Sequence, residues 1–512
     1  MTPDRFPALV SRAEALLATG LVEEAGVLLR PAVGAGLPEA LLLAARCALR
    51  DDDLPAAHDL AVEAEALFRR QDRLSSVPAA RAVALRAGGR GSPGAVAEAC
   101  DSHGHHEDAA ELRLRHAPEE AATRRGRGTS RSRAIGWLAR ARLADTRRAA
   151  VAACRAGLAL RDPELSADLV DIALDHALTS GDARSAWRWS ERRPGGPPAE
   201  VARARAELRL ARVRGDRDRV VRLERELVRV SRSSAGRPGV PLDDVVDALG
   251  DRALLVFISH RGGLVGVSVA RRRVRLHDFG AAGTAARHVR SLSLADAPHR
   301  AAELDRLLRP AGDRAVVVVP SPELAGLPWA ALPSARGRAV SVAPSTGCWH
   351  RANSRTPALG ERLWAAGPSL VHARREVEVL RGAHGGSVRS TVGGVVRGMG
   401  EADVVHIAAH GVRQDELFSY LQLEDGPLHG HRFEFLDRVP SVVVLSACES
   451  GLARVLLRRG ARVVVESVRA VPDDRVVDVM VDLHAGLAHP AQALADAQAR
   501  HGDLGFVCMG AG

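Results

Sequence analysis

The sequence predicts an array of α-helices followed by an α/β domain built on a mostly parallel sheet. Three observations predict it. Residues 1–232 are dominated by Ala, Leu, Arg and Glu, all good helix formers, with apolar positions at helical spacing. Around SRSSAGRPGVP (231–241) Ser, Gly and Pro cluster and the helical periodicity stops, which marks 233–241 as a linker. From 242 to 512, Val-rich runs alternate with helical stretches, as strands buried on both faces do.

Turn-like interruptions separate paired helical segments in the first region. LLATGLVEEAGVLL (16–29), ALRDDDLPAAHDLA (48–61), CDSHGHHEDAAELR (100–113), RLADTRRAAVAA (142–153), LTSGDARSAWRW (178–189) and RVRGDRDRVVRL (212–223) each join a helix end to a new helix. The turn glycines Gly181 and Gly215 lie 34 residues apart, the period of a tetratricopeptide repeat. Earlier spacings are less regular, so 1–232 reads as a degenerate TPR-like solenoid, with a non-repeating helical bundle as the alternative. GGRGSPG (88–94) and TRRGRGTSRSR (123–133) read as exposed loops.

Past the linker, ALLVFIS (253–259), LVGVSVA (264–270) and VRLHDF (274–279) are short runs separated by RGG and RRR, an antiparallel meander. Strands follow at AVVVVP (315–320), VSVAP (340–344), LWAAG (363–367), DVVHIAAHG (403–411), SVVVLSAC (441–448) and ARVVVESV (461–468). Helices fall between them, near 301–309, 373–382, 395–400, 452–460 and 476–487.

Composition narrows the function. The hydrophobic fraction of 46% is ample for packed cores. Neither a signal peptide nor an apolar run long enough to span a bilayer stands out, so a cytoplasmic protein without membrane contact is expected. The six cysteines are scattered, with no CxxC pair and no zinc-type spacing, so neither a disulfide framework nor a metal or other cofactor is expected. HGHH (103–106) reads as a solvated turn. All 72 basic residues are arginine and the net charge is +10. Arginine suits phosphate, but here it is interleaved with acids along helices, and aromatics are only 3%. A GC-rich genome accounts for that bias, and nucleic acid is not expected as a partner.

Two buried strands end in reactive residues. DVVHIAAHG runs into His410-Gly411, and SVVVLSAC runs into Cys448, followed by Glu449. In parallel sheets, catalytic groups collect beyond the carboxyl ends of the strands. If the two strands are neighbours, His410 and Cys448 emerge side by side. The imidazole then takes the thiol proton, the thiolate attacks a carbonyl, and the imidazole returns the proton to the leaving amine. Backbone amides of Gly411 and Cys448 are the natural oxyanion donors. His406, inside its strand, reads as a core histidine satisfied by a neighbour.

These motifs resemble the His-Gly and Ser-Ala-Cys-x-x-Gly signatures of CHAT domains, caspase-like cysteine peptidases associated with tetratricopeptide repeats. LAGLPWAAL (324–332), VSVAPS (340–345), LWAAGPSL (363–370), ARREVEVL (373–380), RRGARVVVESVRAVPDD (458–474) and HGDLGFVCMG (501–510) resemble further family segments in the same order. The resemblance covers about half of the chain. It implies a caspase-like α/β domain over 242–512. It also implies a cysteine endopeptidase whose helical repeats bind a protein substrate or a regulatory protein. Bacterial relatives often act in defence or programmed death. The family recognises the residue before the scissile bond near the Cys strand and the next strand, so Glu449, Asp473 and Asp474 are candidates for selecting a basic residue. Asp473 also reads as a cap for a helix beginning near Arg475. One segment departs from the family: Gly451 passes almost directly into LARVLLRRG, without the longer segment that walls the substrate site in many relatives. The alternative function is therefore a scaffold of the same fold with weak or no catalysis.

Overall fold

A computed structural model describes residues 6–123, 128–193, 199–234, 239–294, 297–308, 314–368, 370–414, 418–472 and 474–512. The chain forms two compact units, one of residues 1–176 and 207–238, the other of 177–206 and 239–512. Part of the expected linker, 235–238, and part of the expected basic loop, 124–127, lie outside the described residues.

The first unit is helical throughout. Phe6–Leu17 packs on Val22–Gly34, Pro38–Arg50 on Leu54–Arg70, Pro93–Ser102 on His106–His116, and Ser130–Leu143 on Arg147–Leu158. Side-chain caps start several of these helices: Asp53 accepts the Ala56 N–H, Ser92 that of Ala95, Thr129 that of Ser132 and Thr146 that of Ala149. Small residues allow close approach; Ala13, Ala25, Ala40, Ala57 and Ala61 are fully buried. The histidines of HGHH take local partners, His105 with the Ser75 carbonyl and His106 with Asp101.

Helices far apart in sequence meet inside this unit. Arg12 of the first helix pairs with Glu224 of Arg217–Ser234 at 2.5 Å, and Arg209 pairs with Glu23 at 3.0 Å. Arg131 reaches Glu111 at 2.8 Å, Glu164 at 2.8 Å and Asp162 at 3.1 Å, while Arg50 takes Glu164 at 2.7 Å. Poorly hydrated charges of this kind persist only when paired.

The second unit carries fourteen strands among the described residues. They are β1 (Ala253–His260), β2 (Gly263–Ala270), β3 (Arg273–Ala281), β4 (Val316–Val319), β5 (Val340–Val342), β6 (Arg362–Ala366), β7 (Ser387–Val388), β8 (Val404–Ala408), β9 (Gly411–Val412), β10 (Tyr420–Leu423), β11 (Gly426–His429), β12 (Val442–Ser446), β13 (Val463–Ser467) and β14 (Phe506–Gly510). Eleven of them form one sheet in the order β3-β2-β1-β4-β5-β14-β13-β12-β8-β6-β7. The β1–β2–β3 meander and the β13–β14 pair are antiparallel; the remaining neighbours are parallel. The mostly parallel sheet and the expected meander are both present.

Alternate residues of the central strands feed two separate cores. Leu363, Val405, Ile407, Val443, Leu445 and Val464 face one; Trp364, Val404, Val442, Val444 and Val465 face the other. Burial on both faces explains why these strands read as continuous Val runs. The expected strand 403–411 is broken. Its first part is β8, and after Ala409 and His410 the chain leaves that sheet and pairs as β9 in a small sheet of order β11-β10-β9. The β10–β11 hairpin carries only four-residue strands, and its turn at Glu424-Asp425-Gly426 was not anticipated from the sequence.

Replacing Arg131 with Ala strips Glu111, Asp162 and Glu164 of their shared partner. A loss of about 3–5 kcal/mol in unfolding free energy is expected from urea denaturation followed by far-ultraviolet circular dichroism. A loss under about 1 kcal/mol would show that water screens the network.

Candidate functional site

The parallel pairing of β8 and β12 sets the site. Ala408 stands opposite Ser446, and the Ala409 N–H donates to the Ser446 carbonyl at 3.2 Å. His410 and Cys448 each lie two residues beyond that pair, so they leave neighbouring strands level with each other at their carboxyl ends. His410 is exposed and Cys448 half-buried. The Val471 N–H, from the segment after β13, points at the Cys448 sulfur at 3.5 Å. Among the described residues the His410 ring makes no hydrogen bond, with Cys448 or with any other group.

Gly411 is required by contact. A Cβ there would collide with the Cys448 carbonyl oxygen. The Gln422 N–H donates to the His410 carbonyl at 2.9 Å, which makes His410–Gln422 a hydrogen-bonded pair of the antiparallel ladder. The next residue of such a ladder turns its amide outward, so the Gly411 N–H faces away from β10.

The segment after Cys448 is anchored from below. Glu466 of β13 is buried, accepts the Ser450 hydroxyl at 3.1 Å and accepts the Ala453 N–H at 3.3 Å, at the start of helix Ala453–Arg459. Gly451 adopts φ +66°, a conformation glycine tolerates best, and turns the chain into that helix. Burial pushes the Glu466 carboxyl above the usual carboxylate range, against the pull of Ala453, Ser450 and Arg413. Glu434, itself buried, pairs with Arg458 and ties the same helix to the turn Gly430–Phe435. Thus the short segment after Gly451 is a tightly held connection.

The acidic candidates fare differently. Glu449 is exposed in part and ion-paired with Arg413, just past β9, so its charge is compensated. Asp474 is exposed. Asp473 lies outside the described residues, and the following helix starts at Val476 with Arg475 at its N-cap and no capping side chain.

His406 has the expected neighbour, and more. It is 0% exposed; its Nδ1 lies 3.1 Å from His484 Nε2, and its Nε2 lies 2.9 Å from Glu376 Oε1. The Glu376 contact has ion-pair distance but is off the line of a hydrogen bond. Burial and the neighbouring His406, His384 and Arg362 hold His484 well below the ordinary imidazole range. Glu376, His484, Glu466 and Arg413 were not singled out from the sequence. A lone polar residue within an apolar run, as in VVHIAAH or VVVESV, was the available signal.

Two outcomes are expected. Burial pushes the thiols of Cys47 and Cys154 up to about 11 and those of Cys100 and Cys508 up to about 12, and raises that of Cys348. Iodoacetamide should therefore label the folded protein at Cys448 alone, as read by peptide mass spectrometry; labelling elsewhere first would contradict the site's accessibility. For Glu466, a raised folded-state pKa means stability that is full below the ordinary carboxylate range and lost as pH rises through the raised value. Glu466→Gln removes that loss, so its melting temperature should gain on the wild type between about pH 4 and pH 8. A constant or shrinking difference would contradict the raised value.

The fold and the site geometry allow comparison with known proteins. Residues 293–502 match the family model of the CHAT domain. A search of curated proteins finds no match. Among solved structures, a chain of the Saccharomyces cerevisiae separase–securin complex at 3.0 Å is similar with a TM-score of 0.58 at 10% identity, covering 97% of this chain and 49% of that one. A second structure of the same complex, at 2.6 Å, gives 0.57 at 9% identity, covering 98% and 49%. This chain spans about half the length of the structures it matches. At such identity the likeness shows the fold: a helical region followed by a caspase-like α/β domain. The chain thus carries a CHAT domain over residues 293–502.

Proposed function

We propose that the protein is a cysteine endopeptidase with His410 as general base and Cys448 as nucleophile. The observation that carries the reading is their level placement at the ends of two paired parallel strands, with Cys448 the accessible cysteine. His410 takes the thiol proton, and the sulfur attacks the carbonyl carbon of the scissile peptide. The Gly411 and Cys448 amides receive the oxyanion. The C–N bond breaks as His410 gives its proton to the leaving amine. Water then hydrolyses the thioester, with His410 accepting its proton. The imidazole must swing toward the sulfur when substrate binds, since catalytic contacts are often loose without it.

Asp473 and Asp474 are candidates for selecting a basic residue before the cut. Glu449 would do so only by exchanging Arg413 for the substrate. The TPR-like helical region binds a protein partner or substrate and restrains the peptidase. The similar structures are complexes of separase with securin, which supports a protein partner. A cytoplasmic location fits the absence, among the described residues, of any helix long and apolar enough to cross a membrane. The second reading, a scaffold without turnover, is favoured by the His410 ring making no hydrogen bond to the thiol.

A peptide-library cleavage assay tests this. Cys448→Ala should abolish cleavage, and His410→Ala should lower it roughly 10²–10⁴-fold. Equal turnover in Cys448→Ala would refute the mechanism; no turnover in the wild type, with its thiol intact, would support the scaffold.

A further inference from the structure

The small sheet that begins at His410 has two unlike faces. Gly411, Leu421, Leu423 and Leu428 point into the domain, and the three leucines are fully buried. Directly opposed residues of an antiparallel pair share a face. The register therefore puts His410, Gln422 and Pro427 in one outward row, and Val412, Tyr420 and His429 in the next.

That outward face is aromatic. The Tyr420 and His429 rings meet edge to face at 5.2 Å, and His429 stacks on His431 at 5.5 Å. Phe418 lies against both imidazoles, at 6.5 Å and 6.4 Å, and its carbonyl oxygen lies 3.1 Å from His429 Nδ1. Phe418 is 43% exposed, the sole phenylalanine or tryptophan among the exposed large apolar residues described. The chain holds one tyrosine and eight phenylalanines in 512 residues. Rings packed edge to face on one another form a firm apolar platform, since few rotamers remain to be lost on binding.

The position selects the occupant. His410 must protonate the leaving amine, so the segment after the scissile bond has to pass over its imidazole. From His410 to Tyr420 is one strand across and two residues along, roughly 8 Å at sheet spacing. An extended chain covers about 3.3–3.6 Å per residue, so the ledge lies within reach of the second or third residue past the cut.

We propose that Tyr420, His429, His431 and Phe418 form a ledge that binds an aromatic or large aliphatic side chain of the substrate, on the leaving side of the scissile bond. The proposal rests on the peptidase reading, and two measurements separate their failures. In the first, cut sites from a proteome-derived peptide library are mapped by mass spectrometry for the wild type and for Tyr420→Ala/His429→Ala. Enrichment of aromatic and large aliphatic residues in the first three positions after the cut should fall roughly 3–10-fold, with the preference before the cut unchanged. Tyr420→Phe, which keeps the ring, should restore it. Unchanged enrichment after the cut would overturn the ledge, whereas cleavage by Cys448→Ala equal to wild type would overturn the peptidase reading alone. In the second, an array of extended peptides is probed with Cys448→Ala, which needs no turnover. Peptides with aromatic or aliphatic residues should be captured, and adding Tyr420→Ala/His429→Ala should remove that capture; equal capture, or none, would overturn the ledge.

Discussion

The register between β8 and β12 is the constraint on which the site depends. Both strands are buried on both faces, so apolar patterning alone specifies their alignment weakly: Val404 and Val405 are equally at home in either core. His406 removes the ambiguity. Only one alignment sets its imidazole between Glu376 and His484, and a slip of one residue would bury it unpartnered on the opposite face. The same alignment puts His410 level with Cys448 four residues later in its chain. A buried polar cluster beneath the site thus orders the strand ends above it.

The segment leaving Cys448 shows a second economy of construction. It is short, and the protein holds it from two sides. Glu466 takes the Ser450 hydroxyl and a helix-terminal amide from below, at the cost of burying a carboxyl group. Arg413 spans from the end of β9 to Glu449 at the surface. On the other side, the chain past His410 folds into a small sheet with a ring-lined outer face. His410 and Cys448 therefore lie between a pinned turn and the small sheet.

The helical unit follows a different logic. Its first and last helices meet through Arg12 and Glu224, and Arg131 gathers three carboxylates from distant turns. Arginines interleaved with acids serve here for internal pairing.

The sequence by itself determined the element types, the parallel core and the two strand ends that bear His410 and Cys448. Those features are local: Val runs, helix formers, and small residues that stop a strand are legible without knowing what they touch. It also marked His406 as a satisfied core histidine. Its buried polar neighbours, Glu376 and His484, lie 30 and 78 residues away, and no local pattern encodes that contact. The break after Ala409, the short hairpin strands Tyr420–Leu423 and Gly426–His429, and the carboxylate beneath Ser450 were likewise decided by tertiary structure. Each depends on which strand lies beside which, and strand order in a parallel sheet is set by long crossovers, beyond the reach of neighbouring residues.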